Sequence, residues 1–120
     1  MYINTYIIPI AAEQKAAYLA IAEIFADIAK EYGALEIFEN WEADIPDGQQ
    51  TDYRRAVAAT KDEKIIVSWV IWPDRESADF AHKNIFSDRR LGHIKSMPFD
   101  GKRMILGGFE PMLAWRRDQD

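Results

Sequence analysis

The stretch 64-KIIVSWVIW-72 decides the fold. It is nearly all apolar, β-branched or aromatic, and Pro73 ends it. A short apolar run bounded by a proline is typical of a strand whose two faces are both covered. The remainder of the chain should therefore supply elements that cover this strand.

A long amphipathic helix precedes this strand, and a second helix follows it. From Ala11 to Tyr32, apolar residues recur at spacings of three and four, and Gly33 supplies a stop signal. After the strand, Asp74 is a suitable N-cap. The inward stripe of this second helix is predicted to be Ala78, Ala81, His82, Ile85 and Phe86.

Three further strands complete the predicted sheet. Residues 2–9 are rich in Tyr, Ile and Thr, and Pro9 is expected to end that strand. Residues 35–43 alternate, with Glu39 on the same side as Ile37, and residues 103–113 form the last strand. Residues 53–60 are a further candidate, a short irregular strand, and the sequence leaves open whether they join the sheet.

The resulting order, β-α-β-(β)-β-α-β, predicts an α+β fold with the ferredoxin-like split βαβ arrangement. We expect a single domain over residues 1–120, with an antiparallel sheet and two helices on one face. The other face would expose Ile, Trp and Phe side chains, and a surface of that kind normally marks an interface. Pairing two sheets in a homodimer, the dimeric α/β barrel, would cover it.

Composition narrows the classes of function. The 120 residues include no Cys, which excludes a cysteine nucleophile and a Cys-zinc site. Fifteen basic against twenty acidic residues give a net charge of −5, so we expect no nucleic-acid partner. The sequence predicts no membrane association and a cytoplasmic location. We expect no metal and no cofactor, since His82 and His93 have no carboxylate at ligand spacing.

Several motifs resemble those of a known family. These are 33-GALE-36, 46-PDG-48, 68-SWVIWP-73 and 97-MPFDGKRMILGGF-109. Together they resemble the YbaA-like family, a domain of unknown function (number 1428). The resemblance covers nearly the whole chain. It implies a ferredoxin-like subunit of the dimeric α/β barrel superfamily, and it implies no substrate or catalytic residue.

The superfamily suggests one catalytic hypothesis. Its cofactor-independent and haem-degrading monooxygenases use an Asn on the first strand, a Trp on the third and a His on the second helix. Asn4, Trp69 and His82 occupy comparable places in this sequence. In such a site Asn would orient the substrate, Trp would shape the pocket, and His would act as base or haem ligand.

Four other polar residues are candidates for contacting a ligand: Glu39, Ser68, Arg103 and Glu110. If Glu39 faces the interior, it needs a cation, and Arg103 or Arg55 could supply one. Alternatively, Glu39 could move a proton from carbon.

The last predicted strand contains two adjacent glycines. The pair Gly107–Gly108 predicts either a bulge that serves packing or space for a ligand beside Arg103 as an anion clamp.

Three classes of function follow. The first is a homodimer that binds a small apolar or aromatic molecule between sheet and helices. The second is a cofactor-independent monooxygenase or isomerase. The third is a protein-interaction module without a ligand. The sequence leaves the enzyme question open.

Overall fold

A four-stranded antiparallel sheet forms the centre of the protein in a computed structural model, which describes residues 1–117. Its strands are β1 (Tyr2–Ala11), β2 (Glu36–Trp41), β3 (Glu63–Trp72) and β4 (Ile105–Phe109), in the order β2-β3-β1-β4. This is the ferredoxin-like order, so the predicted fold class is confirmed. The apolar stretch that ends at Trp72 lies between two other strands. The prediction that both of its faces are covered is met only in part, because the two main helices pack on one face.

Strand β1 is longer than predicted because Pro9 does not end it. Pro9 lies opposite Ile65 of β3, and pairing continues to Ala11. On its other side β1 pairs with β4 only over residues 3–7. At Pro9 the strand therefore has a free edge, where the missing N–H of proline breaks no ladder hydrogen bond.

Two main helices pack on one face of the sheet. A 3₁₀ turn over Ala12–Gln14 leads into α1 (Lys15–Glu31), and Gly33 follows with a φ of 102°, in the left-handed region that favours glycine. A later helix spans Arg75–Asn84 and is called α3. Its N-cap is Asp74, whose carboxylate accepts a hydrogen bond from the Ser77 N–H at 2.7 Å.

Residues 53–60 do not form a strand, which corrects the open alternative above. They contain a short helix, α2 (Tyr53–Ala56), followed by a turn in which Ala58 has a φ of 50°. The cause lies in Asp52, which caps the helix by accepting a hydrogen bond from the Arg55 N–H at 2.8 Å. A further short helix, α4 (Arg89–Gly92), follows α3 and buries Leu91.

The final strand is shorter than predicted. Gly101–Arg103 form a 3₁₀ turn whose N-cap is Asp100, and pairing is confined to β4. None of the helices within residues 1–117 is long and apolar enough to cross a membrane.

The hydrophobic core lies between the sheet and the two main helices. One cluster joins Ile28 and Ala29 of α1 to Ala78 and Ala81 of α3 over Trp72. A second cluster lies around Ile8, Ile10 and Ile66. The two helices therefore cover the same face of the sheet.

The opposite face, here called the helix-free face, carries an apolar surface. Phe38 stacks on Trp69 with ring centroids 5.2 Å apart, and Phe38, Ile105 and Phe109 are exposed. Ile65 on this face is buried, at the end of the sheet where Arg54 of α2 donates to the Glu63 carbonyl. Ile71 on this face is also buried, and Arg116 forms an ion pair with Glu36 at 2.7 Å. Apart from these two places, no helix covers this face within residues 1–117.

Candidate functional site

A cavity of about 360 Å³ lies between the sheet and the helices, at the border of the two core clusters. Its size falls within the range of small-molecule sites. Helices α1 and α3, all four strands and the segment before β4 contribute to its wall. The apolar lining residues are Ile8, Ile21, Ala22, Phe25, Val70, Phe86, Met97, Phe99, Met104 and Leu106.

A tyrosine–histidine pair lines the cavity, with His82 exposed to solvent. The Tyr6 hydroxyl and His82 Nε2 are 2.7 Å apart, and His82 Nδ1 is 2.9 Å from the Ala78 carbonyl oxygen. A carbonyl only accepts, so Nδ1 carries the proton. Nε2 of the neutral ring is then the acceptor, and the Tyr6 hydroxyl donates to it. Burial, with a contribution from Glu39, raises the pKa of Tyr6 to about 12.

A second polar group surrounds Glu39. The Tyr18 hydroxyl donates to Glu39 Oε1 at 2.6 Å, and the buried Ser68 hydroxyl is also hydrogen-bonded to this carboxyl group. Burial raises the pKa of Glu39, although both hydroxyls oppose that rise. Burial and the neighbouring Glu39 also raise the pKa of Tyr18. Two neutral donors thus surround a carboxyl group in an apolar cavity.

The prediction that Arg103 or Arg55 pairs with Glu39 is wrong. Arg103 lies outside the cavity and forms a two-pronged ion pair with Glu63, each N···O distance being 2.8 Å. Arg55 pairs with Asp52 at the start of α2. Both arginines therefore form ion pairs with other carboxylates, Arg103 with Glu63 and Arg55 with Asp52, and neither pairs with Glu39.

The Glu63–Arg103 pair is itself well defined. Arg103 also donates to the Ala58 carbonyl at 3.0 Å and to Asp100 at 3.0 Å. The bond with Arg103 lowers the pKa of Glu63 to about 2. These bonds fix the segment that carries Phe99 and Met104, two residues of the cavity wall. Arg103 therefore holds the wall in place and is not itself positioned to clamp an anion inside it.

The structure does not bring Asn4, Trp69 and His82 together. Trp69 lies on the helix-free face, on the other side of the sheet from His82. Asn4 is on the helix-covered face, where its Oδ1 accepts a hydrogen bond from Trp72 Nε1 at 2.9 Å. Of the three, only His82 lines the cavity. The monooxygenase-like constellation is therefore not formed within one subunit.

The glycine pair serves packing. Gly107 lies opposite Thr5 and Gly108 opposite Asn4 in an uninterrupted register, so there is no bulge. A Cβ atom on Gly108 would collide with the Tyr2 hydroxyl. Glycine here leaves space for the Tyr2 side chain. Glu110 is exposed just beyond β4 and does not line the cavity.

Glu39, Ser68 and His82 are thus the sequence candidates that the cavity brings together, and Tyr6 and Tyr18 were missed. Tyr18 belongs to the apolar stripe of α1 and Tyr6 to an apolar strand, and such positions are typical of core residues. The sequence feature that could identify them as site residues is the hydroxyl of each ring, since a buried tyrosine hydroxyl needs a hydrogen-bond partner.

Strands, helices and cavity define the class of protein: a ferredoxin-like α+β subunit with a largely apolar site that contains two hydrogen-bonded polar groups. Within residues 1–117, no three His, Asp or Glu side chains are grouped so that they could hold a metal ion. The chain belongs to the family described as "Protein of unknown function (DUF1428)", which matches residues 1–101. The resemblance to the YbaA-like family is therefore confirmed.

Similar proteins align with this chain over most of its length. The "Uncharacterized protein YbaA" of Escherichia coli K12 is 43% identical over 113 residues, which cover 93% of this chain and 97% of that protein. The YbaA of Shigella flexneri matches with the same values. Among solved structures, an uncharacterized NIPSNAP domain protein from Burkholderia xenovorans covers 98% of this chain and 100% of its own, with a TM-score of 0.46 and 13% identity.

Proposed function

We propose that this protein binds a small, mainly apolar molecule in the cavity between its sheet and its helices. The observation that carries the proposal is the cavity itself: about 360 Å³, walled by aliphatic and aromatic side chains. Small-molecule sites combine such walls with a few polar groups that orient the ligand. Here the Tyr6–His82 pair and the Glu39 carboxyl group are those polar groups.

The volume sets the size of the ligand. A molecule of one or two rings fits within the cavity. Apolar contact supplies most of the binding free energy, at roughly 25 cal/mol per Å² of buried apolar surface before the entropic costs of association. Polar ends of the ligand would lie near Glu39 or His82.

A fluorescence titration with N-phenylnaphthylamine, a neutral dye that brightens in apolar surroundings, tests the proposal. We expect saturable binding to the wild type and a loss of at least about tenfold in affinity for Ala22→Phe, which fills the cavity. The matched control is Ala20→Phe, the same substitution on an exposed position of α1. It should bind the dye like the wild type.

Two results would contradict the proposal: no saturable binding to the wild type, or equal affinity in both variants. Circular dichroism and a thermal melt establish that each variant is folded. Leu106→Trp offers a second way to fill the cavity, from β4 instead of α1, if Ala22→Phe does not fold.

Acid–base catalysis is a second candidate, favoured by one observation. The Ala78 carbonyl holds His82 in the tautomer whose Nε2 accepts a proton, and that atom is hydrogen-bonded to Tyr6, a residue that lines the cavity. A substrate that displaced the Tyr6 hydroxyl would place its own acidic proton at this base. His82→Ala separates the two functions: a binding protein keeps its affinity for the dye, whereas an enzyme that uses this base loses turnover.

We further propose that two copies pair through the helix-free face. In support, Phe38, Trp69 and Phe109 form an apolar surface there, and this face lacks the helical layer that covers the other. A protein-interaction module without a ligand would use the same surface. Sedimentation velocity of Phe38→Asp tests the pairing, and the dye titration on that variant shows whether the cavity needs the pairing.

A further inference from the structure

The Glu39 carboxyl group has no cation of its own. Its hydrogen-bond partners are the hydroxyls of Tyr18 and Ser68, and no Lys or Arg within residues 1–117 forms an ion pair with it. Most carboxylates placed in such surroundings are paired, because an isolated buried charge costs several kcal/mol. The strongest interaction still open to this group is with a cation that enters the cavity.

Aromatic rings supply a second feature that favours a cation. The rings of Tyr6, Tyr18, Phe25, Phe86 and Phe99 line the cavity. Tyr18 and Phe99 have centroids 5.9 Å apart, and Phe25 and Phe86 have centroids 6.4 Å apart. The negative face of an aromatic ring attracts ammonium groups, most strongly where water is excluded. The Glu39 carboxylate and the aromatic rings therefore both favour a cationic ligand.

We propose that the ligand is an organic monocation, an amine with an apolar ring-sized body, whose ammonium group pairs with Glu39. The inference rests on the proposed function and names its ligand class. The ammonium donates to Glu39 while Tyr18 and Ser68 keep their hydrogen bonds to it, so the carboxylate gains a third partner. The apolar body of the amine occupies the wall formed by α1 and the segment before β4.

Charge elsewhere in the protein agrees with this ligand class. The net charge of −5 attracts cations over a distance set by the ionic strength. An anionic ligand would meet the Glu39 carboxylate without a basic side chain to offset it. Arg103, the cation expected from the sequence, is engaged with Glu63 outside the cavity.

The pH dependence follows from the groups that face Glu39. Those that titrate are Tyr18 of α1, Tyr6 of β1 and His82 of α3. Both tyrosines stay neutral near pH 7, since the usual tyrosine pKa of 10.0 already lies well above that pH and burial raises it further in each. Burial raises the pKa of Glu39, so acidification protonates it and removes its attraction for an amine at a higher pH than for an exposed glutamate.

A matched series of three ligands tests the inference: phenylbutylamine, phenylbutanol and phenylbutanoate, titrated by calorimetry at about pH 7, where the amine is cationic. We expect the amine to bind at least about tenfold more tightly than the alcohol, and the carboxylate to bind most weakly. In Glu39→Gln, which keeps an acceptor for Tyr18, the amine and the alcohol should differ by less than about twofold. Glu23→Gln removes an exposed carboxylate of α1 and should leave the preference intact.

The outcomes separate this inference from the proposed function. Equal binding of amine and alcohol to the wild type overturns the cation inference, and the dye titration then still supports the cavity. A preference for the amine that survives in Glu39→Gln also overturns it, since another group would be responsible. Failure of all three ligands overturns the cation inference, and failure of the neutral dye as well overturns the proposed function.

Discussion

The ion pair between Glu63 and Arg103 yields a quantitative prediction. Replacing Arg103 by Ala removes both N–H donors from Glu63, the bond to the Ala58 carbonyl and the bond to Asp100. Both side chains of the ion pair are mostly shielded from water, with exposed fractions of 13% for Glu63 and 27% for Arg103. The pair should therefore contribute more than a solvent-exposed ion pair.

The lowered pKa of Glu63 gives an estimate of how much free energy of unfolding the ion pair contributes. It falls from the usual 4.5 to about 2, and at about 1.36 kcal/mol per pH unit that fall corresponds to about 3 kcal/mol. The Thr60 N–H also bonds this carboxylate, at 2.8 Å, so its share must be subtracted. We expect Arg103→Ala to lower the free energy of unfolding by about 2 kcal/mol near pH 7, and Tm by about 8 °C.

The assay is urea unfolding of wild type and Arg103→Ala across a pH series. A lowered pKa stabilises the fold above the unfolded-state value of 4.5, and that stabilisation disappears as the pH falls towards 2. The gap between the two proteins should therefore close between those values. Arg103→Lys keeps the charge without the two-pronged geometry and should fall between them. Lys61→Ala, which removes an exposed cation before β3, should match the wild type. A gap that is absent near pH 7, or unchanged on acidification, would refute the reasoning.

Three further predictions concern the cavity carboxylate, the glycine pair and the helix-free face. Because burial raises the pKa of Glu39 above its usual 4.5, the stability linked to this group is complete below that pH and is lost as the pH rises through the folded-state pKa. Glu39→Gln should therefore gain stability relative to the wild type as the pH rises above 4.5, and a constant difference in urea unfolding would count against a raised pKa. Gly108→Ala should cost about 1–3 kcal/mol because the added methyl collides with Tyr2, whereas Gly101→Ala, where a Cβ meets nothing within 4 Å, should stay within about 0.5 kcal/mol in the same measurement. Phe38→Asp should shift the sedimentation coefficient from dimer to monomer without loss of helical circular dichroism, and a variant that still sediments as a dimer would exclude this face as the interface.

Most of the fold could be predicted from signals that are local in the sequence. The apolar stretch of β3, the periodicity of α1 and the Asp74 cap depend on residues close together in the sequence, and the structure contains all three. Residues 53–60 are harder to assign, because most of their apolar side chains are alanine and show neither a strand nor a helix period. The Asp52 cap was the deciding feature.

The site was less predictable because it depends on which face each strand presents. Strand β3 is apolar on both faces, so alternation alone cannot tell that Trp69 lies away from His82. Glu39 was identified by its strand position, but its partner was not. Tyr18 is 21 positions away along the chain, and only the packing of α1 on the sheet brings the two together.

Methyl-resolved NMR tests the central claim, that the cavity is a binding site, most directly. In a titration of isoleucine-labelled protein with the neutral dye N-phenylnaphthylamine, the methyl groups of Ile8 and Ile21, which line the cavity, should shift in proportion to occupancy. Those of Ile3 and Ile7, on the helix-free face, should not move. Shifts confined to Ile3 and Ile7, or none at any isoleucine, would contradict it.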